Sequence, residues 1–240
     1  MTAHSEQITG NNRNWRRLKM RLFAIADPHG NYSKIEELLK IAGNVDLVLI
    51  AGDITNFGPD EKALDLFDKF SSKILAVPGN CDHESIIKVI EDSKATNLHK
   101  RSISIDGIRF IGMGGSNPTP FCTPFEIQEC DFEENISRML EDVKADEVLV
   151  TLTHTPPFSI LDMVGDMHVG CKALNVFLDK ADLMICGHIH EARGVEKSGK
   201  TIIVNPGMAA LGFAAVITIV FDNKTPIINV ELIKSDREVI

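Results

Sequence analysis

The spacing of apolar and polar residues changes character near the middle of the chain. Residues 22–26 form an unbroken apolar run, short enough for a strand buried on both faces. Residues 33–42 return to a helical period, and Ser33 with Glu36 reads as a capping box at its start. The same pair of patterns recurs, with strands at 46–51 and 73–77 and helical stretches at 60–70 and about 84–91. Such alternation predicts parallel strands covered by helices.

Beyond residue 100 the pattern favours hairpins. Residues 102–105 and 108–113 flank Asp106-Gly107, a strong two-residue hairpin signal. A loop rich in Gly, Pro and Thr covers 114–131, followed by a helix at 133–143 and a strand at 148–153. A helix at 171–180 and strands at 183–186, 201–204, 215–221 and 227–233 complete the expectation. A parallel first half and a hairpin-rich second half predict an α/β protein: a four-layer α/β/β/α sandwich of two sheets. The first 19 residues are polar and aperiodic and read as a flexible extension, leaving 20–240 as one domain.

Composition narrows the choice of chemistry. Five cysteines form no CxxC pair, which argues against a thiolate zinc site or a disulfide framework. With no secretory leader pattern and no apolar run of about 20 residues, a cytoplasmic protein with no membrane span is expected. A net charge of −9 disfavours an extended nucleic-acid-binding face. It leaves room for a local cationic site, since bound metals can be the largest charges in a pocket.

Five polar clusters follow the expected strands: Asp27-Pro28-His29, Gly52-Asp53, Gly79-Asn80-Cys81-Asp82, His154, and Gly187-His188-Ile189-His190. Ligands in open α/β sheets bind at the carboxyl ends of strands, so the five loops are placed to converge. Carboxylates, neutral imidazoles and an amide oxygen suit a divalent cation in an N/O shell: manganese first, or iron, nickel, cobalt or zinc. The glycines before Asp53, Asn80 and His188 permit close backbone approach.

These five signatures, spanning residues 22–207, resemble those of the calcineurin-like metallophosphoesterase superfamily. The stretch from Gly52 to Gly58 and Asn205-Pro206-Gly207 are most similar to its small Icc-like prokaryotic branch. The resemblance implies a dinuclear centre, with Asp27, His29 and His190 on one metal, Asn80, His154 and His188 on the other, and Asp53 between them. It implies hydrolysis of a small phosphodiester by a metal-bridging hydroxide, with a phosphomonoesterase and a metal-poor interaction scaffold as alternatives.

The chain departs from the family beside the metals. Many members carry a histidine at the position of Cys81, thought to protonate the leaving group, and some pair it with an Asp where this chain has Asn56. Cys81 is then either a weak proton donor or a small packing residue. His168, in a loop before a helix, is a candidate contact for substrate phosphate or else a surface histidine, and His83 is a second possible acid. Asn80, Cys81 and His168 are accordingly the candidate catalytic residues. Asp82 is expected to position the Asn80 loop, and Asn205 to fix a turn. Phe121, Phe125 and Phe158 either line a pocket or anchor loops, and His4 and His99 lack any motif context.

Overall fold

The computed structural model describes residues 19–144, 147–222 and 225–235. The expected N-terminal extension lies outside these residues apart from Lys19, which already belongs to the first strand.

Strands β1 (Lys19–Ile25), β2 (Leu47–Ala51), β3 (Lys73–Val77) and β4 (Ala95–Asn97) run parallel in the first sheet. They are joined by α1 (Ile35–Ala42), α2 (Ala63–Phe67) and α3 (Ile86–Glu91). The chain then crosses to a second sheet through the hairpin β5 (Arg101–Ile105) and β6 (Ile108–Met113). Asp106 and Gly107 both have positive φ (49° and 83°), as a two-residue hairpin turn requires. Helix α4 (Glu129–Leu140) leads to β7 (Val148–Thr153), and a small hairpin follows, β8 (Met163–Val164) with β9 (Met167–His168). Strands β10 (Leu183–Ile185), β11 (Gly194–Ser198) and β12 (Thr201–Asn205) complete the second sheet, in the order β11-β12-β10-β7-β6-β5. Strand β13 (Phe213–Asp222) returns antiparallel to the free edge of β1, and β14 (Thr225–Lys234) pairs antiparallel with β13 at the outside of the sheet.

Side chains alternate across each strand, and this builds the layers. Leu22, Ala24, Leu49 and Leu75 face Phe110, Val150, Leu183 and Val204 between the sheets. Phe23, Ile25, Val48 and Ile50 point the other way, onto Ile35, Leu38, Leu66 and Ile86 of the helical layer. On the outer side of the second sheet, Ile111, Leu149, Met184 and Ile203 pack against Phe132, Ile136, Leu174 and Phe177. The four-layer α/β/β/α expectation holds.

Several local expectations change. The capping box does not form: Lys34 is the N-cap of α1, and Ser33 Oγ donates to Asn31 Oδ1 (2.8 Å). Ser33 therefore lies one residue outside the cap. The helix expected over 60–70 shrinks to a 3-10 turn and the five residues of α2. The helix expected at 171–180 is 3-10, over Lys172–Asp179. Its first N–H groups, Lys172 and Ala173, donate to the carboxylate of Glu129 at 3.0 and 2.9 Å. Glu129 is itself the first residue of α4, which starts earlier than the helix expected at 133–143. Strands β4, β8, β9 and β11 were not expected from the pattern.

Candidate metal centre

The loops that follow β1 and β2 go on pairing beyond the sheet. Asp27 N–H donates to Gly52 O (3.1 Å), His29 N–H to Asp53 O (2.8 Å) and Gly30 N–H to Ile54 O (3.0 Å). The third loop is fastened to the second by Asp82, a fully buried carboxylate that accepts from Ile54 N, Thr55 N, Thr55 Oγ1 and Gly79 N at 2.7–3.0 Å. This is the loop-positioning role expected of Asp82. On the other sheet, His188 N–H donates to the Asp27 carboxylate (3.1 and 3.2 Å). Asn205 braces the same turn, with Nδ2 donating to Ile189 O (2.8 Å) and Oδ1 accepting from Gly207 N (2.9 Å).

No room is left for side chains at the three glycines. A Cβ would lie 2.5 Å from His154 Nδ1 at Gly52, 2.0 Å from Asp53 Oδ1 at Gly79 and 2.7 Å from Asp27 Oδ2 at Gly187. The backbone is also strained at the chemistry: Asp27, His29, Asp53 and His188 have φ of 54°, 45°, 49° and 69°. Non-glycine residues at such angles cost on the order of 1–3 kcal/mol each and persist where surrounding structure holds them.

Together the loops gather electron-pair donors. The polar atoms of Asp27, His29 and His190 lie within 4.8 Å of one another, as do those of Asp27, Asp53 and His154. His154 Nδ1 donates to Ala51 O (2.8 Å), a carbonyl that can only accept. In the neutral ring this leaves Nε2 with its lone pair, directed at Asn80 Oδ1 (2.8 Å) and Asp53 Oδ1 (3.4 Å). On the opposite side, His29 Nε2 and His190 Nε2 are 3.2 Å apart, with Asp53 Oδ2 3.6 Å from His29 and Asp27 Oδ1 3.7 Å from His190. The His188 ring packs edge-on against that of His154, centroids 5.0 Å apart.

Electrostatics keeps most of these donors available. Burial pushes His188 down to about 4 and lowers His29 against the pull of Asp53 and Asp27, so both rings are neutral near pH 7. His190 is raised by the Asp27 carboxylate beside it (3.7 Å). Burial alone would raise the Asp27 carboxyl, but His190, His154 and His29 together hold it below its ordinary value. Acceptors that converge with too few hydrogens between them, in a buried and acidic setting, fit divalent cations.

The candidates beside the ligands divide. Cys81 is half-buried, with Sγ within 4.8 Å of the polar atoms of His29 and Asp53, so it faces the centre and is not a core packing residue. Burial and the Asp53 carboxylate push its thiol up, keeping it protonated. His83 turns toward Asp60 (3.5 Å) and Asn56 is exposed, so neither joins the cluster. Phe125 is a buried anchor whose N–H donates to Asn80 O (3.1 Å), Phe158 is half-buried, and Phe121 is exposed. His99 is buried, with Nδ1 accepting from Gly114 N (2.9 Å). His168 sits outside both trios, on β9, where Nδ1 donates to Asp162 Oδ1 (2.6 Å). Asp162 escaped the sequence reading because a lone Asp in a loop carries no pattern.

A family model for calcineurin-like phosphoesterases matches residues 20–192. An uncharacterized protein of Methanocaldococcus jannaschii is 35% identical over 198 residues, covering 78% of this chain and 88% of that protein. A UPF0046 protein of Caenorhabditis elegans is 28% identical over 193 residues, covering 70% and 64%. The crystal structure of TT1561 of Thermus thermophilus shares the fold with a TM-score of 0.70 at 16% identity, covering 91% of this chain and all of that one.

Proposed function

The chain belongs to the calcineurin-like phosphoesterase family, and from that premise we propose that it hydrolyses a small phosphodiester with two divalent cations held by Asp27, His29, Asp53, Asn80, His154, His188 and His190. Membership makes it a metal-dependent phosphoric ester hydrolase; the diester preference, the ligand set and manganese as the metal are our reading. The observation that carries it is the two-sided Asp53 carboxylate. Its Oδ1 faces His154 Nε2 at 3.4 Å and its Oδ2 faces His29 Nε2 at 3.6 Å, as a carboxylate shared by two cations must. Asp27, His29 and His190 then serve one cation, and Asn80, His154 and His188 the other.

When bound, such a pair of cations lowers the pKa of a coordinated water toward neutrality and offsets charge on the phosphoryl oxygens. The protein's own part is positional. The Ala51 carbonyl fixes the His154 tautomer, Asp82 locks the Asn80 loop, and the Asp27 carboxylate orients the turn that carries His188 and His190. Preference for a diester is supported by the engagement of Arg193. In the flanking turn it is spent on Pro206 O (3.1 Å), Ile233 O (3.2 Å) and the face of Phe213. A diester brings one negative charge to the site and a monoester up to two, and the smaller charge suits a centre whose flanking arginine is already engaged. Among the described residues, no helix is long and apolar enough to cross a membrane.

The test compares bis(4-nitrophenyl) phosphate with 4-nitrophenyl phosphate on manganese-loaded protein. The diester should win by about tenfold or more in kcat/KM, about 1.4 kcal/mol of transition-state binding. Asp53→Asn should abolish both activities and lower bound manganese. The reverse ranking would make the protein a phosphatase, and no bound metal with no turnover of either ester would make it a scaffold.

A further inference from the structure

The segment from His154 to Cys171 leaves the metal cluster, forms the β8–β9 hairpin and returns, and it is organised around one buried carboxylate. Asp162 is fully buried. Its Oδ2 accepts from Ser159 N and Gly170 N (both 2.9 Å), and its Oδ1 accepts from His168 Nδ1 (2.6 Å). A Cβ on Gly170 would lie 2.6 Å from Pro157 O and 2.9 Å from Asp162 Oδ2, so no side chain fits where the loop closes beside this carboxylate. Ser159 and Leu161 take positive φ (71° and 51°), the same kind of strain found at the metal ligands. The hairpin packs on the turn that begins at His190. Asn117 ties its far end back to the residue after His154, donating to Val169 O and accepting from Thr155 Oγ1 (both 3.1 Å).

A carboxylate only accepts, so His168 Nδ1 carries a hydrogen and Nε2 is the atom left for other work. The side chain is 41% exposed while its partner is buried. This combination of an oriented, accessible imidazole on a buried carboxylate is that of a general acid–base device.

We infer that His168, held by Asp162, protonates the leaving oxygen of the substrate, an inference that rests on the phosphodiesterase reading above. The P–O bond to the alcohol breaks as a water oxygen bonds to phosphorus. The water's proton passes to solvent, the Nε2 proton of the imidazolium goes to the departing alkoxide, and the ring regains a proton from solvent. His168 is the catalytic residue and Asp162 a positioning residue. The pair occupies the role left open by Cys81, whose thiol is a poor donor.

The experiment is a leaving-group series of aryl phosphodiesters, from 4-nitrophenyl to phenyl to 4-methoxyphenyl, on manganese-loaded protein. His168→Asn should reduce kcat about a hundredfold for the poorest leaving group, with a much smaller loss for 4-nitrophenolate, which departs without a proton. Bound manganese should not change. Asp162→Asn should show the same steepened dependence. Nitrogen NMR of the wild-type imidazole should show Nδ1–H at His168, weakened in Asp162→Asn. Equal losses across the series, a change in KM alone, or no loss in His168→Asn would overturn the inference and leave the metal reading standing. Wild-type protein that binds no manganese and turns over no aryl ester would overturn both.

Discussion

The space a methyl group would take at position 79 is already occupied by the Asp53 carboxylate, 2.0 Å from where that carbon would sit. Gly79→Ala should therefore push Asp53 off its two-sided position. A stability loss of about 1–3 kcal/mol is expected from overpacking, together with loss of bound manganese. Thermal unfolding and elemental analysis would check this, and wild-type metal content in a folded variant would contradict it. At this scale the donor cluster was legible from the sequence because each proposed ligand is a polar residue placed just after a strand. Cys81 was harder to read: a small residue between Asn80 and Asp82 looks the same whether it packs in the core or faces the centre. Asp162 was harder still, since its importance comes from three donors that only the folded loop supplies.

Between elements, the amide of Asn205 joins the end of β12 to the turn after β10. Asn205→Ala would leave Gly207 N without its acceptor in a buried setting and take from Ile189 O one of its two donors, the other being Ala192 N–H (3.1 Å). An orphaned buried group costs about 1–3 kcal/mol, and His188 and His190 would lose part of their support. We expect a lower unfolding midpoint and weaker manganese binding, measured by calorimetry; wild-type values for both would sink this account. The strands flanking the site were readable because burial made them continuous apolar runs. The edge strands were not. β11 is polar and exposed along most of its length, and β4 has three residues, too few to show a period. The false capping box shows the same limit, since a motif one residue out of register is indistinguishable from a real one until the helix start is known.

Across the whole molecule, the proposed ligands come from both sheets. Asp27, His29, Asp53 and Asn80 follow strands of the first, and His154, His188 and His190 follow strands of the second. Cations held there would cross-link the two halves, so chelation should lower the melting temperature as well as activity. At a free metal concentration of 100 times Kd the linkage is worth about 2.7 kcal/mol, and a melting temperature indifferent to chelator would argue against the shared site. A second coupling lies where the chain passes between the sheets. Burial, with Lys100 and Arg101 beside it, pushes His99 down to about 3. Below pH 6.5 the unfolded chain binds a proton that the folded chain refuses until about pH 3. His99 therefore removes about 1.4 kcal/mol of stability per pH unit across that window. His99→Asn keeps an acceptor for Gly114 N without titrating, and should shift acid unfolding to lower pH. An unchanged acid midpoint would show that His99 is not the group involved.

The left-handed backbone at Asp27, His29, Asp53 and His188 sets durability against turnover. His29 also buries an Nδ1 atom with no hydrogen-bond partner. Asparagine adopts this conformation more readily than histidine, so with chelator present His29→Asn should melt no lower than the metal-free parent, while losing hydrolysis when manganese is supplied. Selection for heat resistance in the absence of metal would therefore wear away the centre, and a library stabilised under chelation should accumulate inactive members at His29 and His188 first.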